Sequence, residues 1–90
     1  MNNPIYAKEH EKFVKAQVLY VNPNRILYFD EAFTKPVYGD ELFDLYVKGM
    51  LIVYYNERYF KPYGCMKGEA FTVVYVGDEV AFSSGEAAEV

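Results

Sequence analysis

The sequence predicts a β-rich α+β fold: an antiparallel sheet or small open barrel of about five to six strands, with one short helix (about residues 41–49) packed on it. Three observations carry this expectation. Ten Tyr and seven Phe stand among abundant Val and Ile, residues that suit a pleated, half-buried surface. Turn residues punctuate the apolar runs at hairpin spacing. Apolar residues recur at helical spacing in one window only, Leu42 to Met50.

Taken in order, residues 1–15 read as an N-terminal arm or a frayed turn of helix, because Lys8 to Lys12 is a continuous polar stretch and Ile5, Tyr6, Phe13 and Val14 fit no single face. From Ala16 to Val21 the aromatic and β-branched content rises. Asn22, Pro23 and Asn24 then form a turn cluster, and Ile26 to Phe29 resumes the apolar run. The loop Asn22 to Arg25 suits a type I turn with Pro23 at its second position, so a first hairpin is expected. Asp30 to Gly39 is a connection broken by charges, Pro36 and Gly39, with Val37 as one strand-like residue.

Asp40 stands where a helix N-cap belongs, and Glu41 and Asp44 place negative charge at the positive end of the helix dipole. Leu42, Leu45 and Tyr46, flanked by Phe43, Val47 and Met50, give a wide apolar face. Lys48 and Gly49 close the helix, Gly49 by taking the left-handed conformation. Leu51–Tyr55 and Tyr59–Tyr63 follow as a second hairpin across the break Asn56, Glu57 and Arg58. Pro62 lacks the N–H a ladder needs, so Tyr59–Tyr63 is expected to lie at an edge or end early. Gly64 to Glu69 reads as a loop. Ala70–Val76 alternates, with Phe71, Val73 and Tyr75 expected to face the core. Gly77 and Asp78 turn the chain into a last strand carrying Val80 and Phe82. Residues 84–90 read as a C-terminal tail, which leaves 16–83 as a single domain.

Composition excludes several function classes. A chain of 90 residues has no room for a second domain, and at 52% hydrophobic residues it is too apolar for a disordered segment. A net charge of −4, spread evenly over both halves, provides no basic face, so no nucleic-acid partner is expected. The longest apolar run, Met50 to Tyr55, is too short to span a bilayer as a helix, and no membrane partner is expected. The polar residues among the first fifteen do not make a signal peptide, and a single cysteine fits a reducing compartment.

No constellation of catalytic or metal-binding residues accompanies the scaffold. His10 is the only histidine and has no convergent partners, so the solvated-surface reading is preferred. Cys65, near Lys61 and Lys67 in sequence, lacks a general base beside it. The adjacent pairs Asp30 with Glu31 and Asp40 with Glu41 diverge on any regular element, and the glycines form neither a Walker loop nor a dinucleotide fingerprint. The expectation is therefore no enzyme, no cofactor and no metal. The aromatic set Tyr54, Tyr55, Tyr59, Phe60 and Tyr63 exceeds what one small core face can bury. Tyr54, Tyr55, Tyr59 and Tyr63 are the candidate partner-binding residues, since Tyr gives large contact area at low entropy cost.

The stretches Leu27-Tyr28-Phe29-Asp30-Glu31-Ala32-Phe33-Thr34-Lys35, Glu41-Leu42-Phe43-Asp44-Leu45-Tyr46-Val47-Lys48-Gly49-Met50, Leu51-Ile52-Val53 and Tyr59-Phe60-Lys61-Pro62 resemble small virion- or head-associated modules of tailed bacteriophages of Gram-positive hosts. The resemblance covers about residues 27–76. It implies a phage structural or accessory role exercised by protein–protein binding, with capsid or other virion subunits as partners, a virion or host-cytoplasm location, and scope for homo-oligomers. The alternative expectation is a small intracellular regulator or inhibitor of a host protein, of the anti-defence type, for which an acidic, compact, motif-free chain is also suited.

Overall fold

A computed structural model describes residues 16–88, so the expected N-terminal arm over 1–15, His10 included, lies outside the described residues. Among the described residues the fold is β-rich with one α-helix, as the composition predicts, but the strands divide into two sheets and do not close into a barrel. The first sheet has the order β2-β1-β3-β4, from β1 (Gln17–Val21), β2 (Leu27–Tyr28), β3 (Leu51–Tyr55) and β4 (Arg58–Phe60). The second has the order β5-β6-β7, from β5 (Gly64–Lys67), β6 (Thr72–Gly77) and β7 (Val80–Ser83). A 3-10 helix, Gly85–Ala88, ends the described chain.

The first hairpin forms where expected. The Asn22 side-chain carbonyl accepts from the backbone N–H groups of Asn24 and Ile26, and Arg25 takes φ 62°, which turns β1 back into β2. What sequence reasoning did not foresee is the next pairing. β1 lies parallel to β3, from Gln17 opposite Leu51 to Tyr20 opposite Tyr54, so the sheet is mixed and not wholly antiparallel. A parallel pair needs a crossover, and the connection through β2, Val37 and the helix supplies it.

That helix, α1 (Gly39–Val47), begins earlier than Asp40, and the expected N-cap is corrected accordingly. Tyr38 occupies the cap position and its side chain makes no capping hydrogen bond. The Gly39 N–H instead donates to both carboxylate oxygens of Glu86, at 2.7 and 3.0 Å. Asp40, one residue into the first turn, pairs with the Lys67 ammonium at 2.5 Å, which lowers its carboxyl pKa. The far end matches expectation. Gly49 has φ 68°, its N–H donates to the Tyr46 carbonyl, and the Met50 N–H donates to the Leu45 carbonyl. These two bonds make a Schellman stop.

The β3–β4 hairpin turns on two residues, not three. Asn56 and Glu57 have φ 54° and 64°, the primed turn whose twist matches the strands, and Arg58 already pairs with Tyr55. β4 is a sheet edge and ends at Phe60, before the buried Pro62. Gly64–Lys67, expected as a loop, is a strand along β6, because pairing Cys65 with Val74 and Met66 with Val73 satisfies backbone groups that a loop would leave to water. Asp78 and Glu79, one residue later than expected, carry the last turn.

The inward face of β6 is also corrected. Thr72 and Val74 are buried, whereas Phe71 is exposed and Val73 and Tyr75 are only half-buried. Alternation fixes two faces without saying which is inside. Here the outward aromatic finds its own partner, Tyr75 packing against Tyr63 at 6.4 Å, while Thr72 is drawn inward beside Gly39 and Ser84. The core joins both sheets and the helix through Leu19, Leu27, Val37, Leu42, Leu51, Val53, Val74 and Phe82. Burying a side chain the size of Phe82 contributes about 1.5 to 3 kcal/mol. Ile26 bridges Ser83 and the Ser83 N–H donates to the Arg25 carbonyl, which ties the two sheets together.

Ser84 to Ala88, expected as part of a free tail, is packed. Ser84 and Gly85 are buried, the Gly85 N–H donates to the Val37 carbonyl at 2.6 Å, and the Ser84 hydroxyl accepts from the Thr72 N–H at 3.0 Å.

Candidate functional site

Strand register assembles a feature that no single stretch of sequence contains. Tyr28 pairs with Tyr20, Tyr20 with Tyr54, and Tyr54 with Tyr59, so one tyrosine from each of β2, β1, β3 and β4 stands in a row across the first sheet. Residues directly opposite on neighbouring strands share a face. The alternate residues Leu19, Leu27 and Val53 are buried in the core, so the row lies on the face turned away from it. The rings are in contact: Tyr20 and Tyr54 meet edge to face at 5.9 Å and 61°, and Tyr54 and Tyr59 pack tilted at 4.9 Å and 56°. Such pairs are worth about 0.5 to 1.5 kcal/mol beyond their burial.

At the β4 edge the row ends in Tyr59, which is 69% exposed. At the β2 end Phe33 packs against Tyr28, tilted by 54° with ring centroids 5.5 Å apart. Phe33 sits at φ 58°, a costly conformation for a bulky residue. The loop that holds it is tied by Asp30, whose carboxylate accepts from the Thr34 and Lys35 N–H groups at 3.0 and 2.9 Å and from the Thr34 hydroxyl. The Thr34 hydroxyl and those amides stabilise the charged carboxylate and lower its pKa. Asp30 therefore acts as a loop clamp. Between loop and row lies a hollow of about 300 Å³, lined by Tyr20, Val21, Glu31, Phe33, Tyr54, Tyr55 and Asn56. Burial, with the Glu31 carboxylate next in weight, raises the Tyr20 phenol pKa.

The four tyrosines singled out from sequence do not form one patch. Tyr54 and Tyr59 belong to the row. Tyr55, although it borders the hollow, turns its ring the other way and packs it on Phe82 at 4.8 Å, as a core-bordering residue. Tyr63 is 60% exposed but stands over the second sheet, where its hydroxyl donates to the Gly77 carbonyl at 3.0 Å. Tyr20, Tyr28 and Phe33 were missed. The predicted Asn22–Arg25 loop, read through, sets Tyr20 opposite Leu27; the extra residue at Arg25 shifts the register by one and brings Tyr28 opposite Tyr20, and joining Tyr20 to Tyr54 required the parallel pairing.

No protein-family model, no curated protein and no solved structure matches the chain. The remaining chemistry is sparse. Cys65 lies half-buried on β5 and burial raises its thiol pKa, the opposite of what a nucleophile needs. Among the described residues no three metal-ligating side chains converge, and no helix is long and apolar enough to cross a membrane.

Proposed function

We propose that this chain is a non-enzymatic binding protein of a tailed bacteriophage, virion-associated or capsid-decorating, whose contact surface is the tyrosine row of the four-stranded sheet. The observation that carries the reading is the in-register series Tyr28, Tyr20, Tyr54, Tyr59, which ends in a largely exposed ring on an edge strand. Rigid, amphipathic rings of this kind are the usual anchors of protein interfaces, and this row offers four in one line. The phage setting rests on the resemblance over residues 27–76. Capsid or other virion subunits are the proposed partners, and a second copy of the chain is the other partner to test.

The experiment is co-sedimentation of the purified protein with particles, alongside mass spectrometry of purified virions and light scattering of the free protein. Association that Tyr59→Ser weakens by about tenfold, as expected for one hot-spot ring, supports the reading. Detection only in infected-cell lysate would move the protein to the alternative role, an intracellular regulator or inhibitor of a host protein.

A further inference from the structure

We propose that the open hollow where the tyrosine row meets the Asp30 loop is a binding site for an organic cation, an alkylated ammonium or a guanidinium, bordered by Tyr20, Phe33 and Tyr54 and neutralised by Glu31.

The walls have the shape this chemistry requires. Tyr20 and Tyr54 meet at 61° with centroids 5.9 Å apart, which makes a corner and not a flat platform. Phe33 also lines the hollow. Aromatic faces set at angles around one point sum their quadrupoles on a positive charge. The hollow of about 300 Å³ has room for a branched ammonium or a guanidinium head.

The charge has the right sign. None of the residues lining the hollow is Lys or Arg, and Glu31 is the one carboxylate among them. The ion pairs found among the described residues, Asp44 with Lys48 and Asp40 with Lys67, leave Glu31 out. Burial first, and the nearby Glu31 carboxylate second, raise the Tyr20 phenol, which puts that negative charge within electrostatic reach of the ring. One carboxylate is too few for a hard metal ion, which takes several oxygens.

The site is also built. Phe33 would relax from φ 58° in an unconstrained loop, yet three donors from Thr34 and Lys35 converge on Asp30 and hold the turn. Strain kept in place by such a clamp is a mark of functional positions.

This inference rests on the reading of the row as a contact surface and names the chemistry at one end of it. The test is titration of the full chain, followed by the ring proton resonances, with tetramethylammonium, choline, N-acetyl-arginine amide and the neutral isostere 3,3-dimethylbutanol. Saturable shifts confined to Tyr20, Phe33 and Tyr54 are expected with the cations, and at least about tenfold weaker binding of the isostere. Glu31→Gln and Phe33→Leu, both at exposed positions, should each weaken the cations about threefold to tenfold while leaving thermal unfolding in place. Choline binding more tightly than the arginine amide assigns the site to a small quaternary ammonium. The reverse order assigns it to an arginine of a protein partner. Equal binding of the isostere, or affinity untouched by Glu31→Gln, overturns the proposal. Lost cation binding with intact particle association overturns this inference alone, whereas lost particle association with intact cation binding overturns only the virion reading.

Discussion

The Glu86 carboxylate accepts the Gly39 N–H at 2.7 Å across 47 residues of sequence and gives α1 a cap that its own first turn does not supply. The Ser84 hydroxyl, which accepts from the Thr72 N–H, in turn hydrogen-bonds Glu86, so the cap is anchored to β6. A buried backbone donor is thus satisfied from outside the helix.

Glu86→Ala should cost about 1 kcal/mol, the usual worth of a lost N-cap, measured by urea unfolding at neutral pH. Burial opposes ionisation of Glu86, but the hydrogen bonds from Ser84 and Gly39 outweigh it and bring its pKa below the ordinary 4.5. A carboxyl lowered in the folded state contributes stability above its unfolded pKa and loses it as pH falls through the folded one. Asp30 and Asp40 are lowered from 3.8 in the same sense. The urea midpoint should therefore fall as pH drops below about 4.5, and the Glu86→Ala curve should fall less steeply. Parallel curves for the two proteins would count against the cap.

Gly49→Ala and Gly39→Ala should fail for different reasons. At Gly49 a Cβ meets nothing within 4 Å, so the cost is the left-handed backbone alone, about 1 to 2 kcal/mol. At Gly39 a Cβ would lie 2.6 Å from the Thr72 hydroxyl and 3.2 Å from the Glu86 carboxylate. Asn should therefore partly rescue position 49 and should not rescue position 39, as read by thermal unfolding.

Phe82→Ala should destabilise by about 3 to 5 kcal/mol, since Phe82 is fully buried among both sheets. Phe71→Ala, at an exposed position, should cost under about 1 kcal/mol. Similar losses at the two sites would restore the opposite face of β6 to the core.

Cys65 should react with a disulfide probe at pH 7.5 more slowly than free cysteine, because burial keeps its thiol protonated. Faster reaction would reopen a role for it as a nucleophile.

Local chemistry made some of this fold legible in advance. Asn22 to Arg25 and Gly49 announce a turn and a helix stop because the side chain, or its absence, acts on its own backbone. Pro62 announced the short edge strand for the same reason. The N-cap was misread because Asp40 had the right chemistry and Glu86, the residue that caps, lay far along the chain. β5 was misread because Gly64 and Gly68 frame only three residues, Cys65 to Lys67, and the partner strand β6 decides their state. Of the candidate site, the concentration of tyrosine was visible. Its alignment was not, since the step from Tyr20 to Tyr54 depends on a parallel pairing that no turn residue encodes.

That parallel pairing also dictates when the surface can exist. The strands β3 and β4, or β6 and β7, can meet as soon as each has been made, because only a tight turn separates them. β1 must wait with its edge open until Leu51 to Tyr55 leaves the ribosome, and closing so long a loop is among the slower events in a small domain. Tyr20 and Tyr54 come together in that same event. A half-synthesised or half-folded chain therefore carries only fragments of the row, and a partner that bound the row as proposed would at the same time be selecting for completed folding.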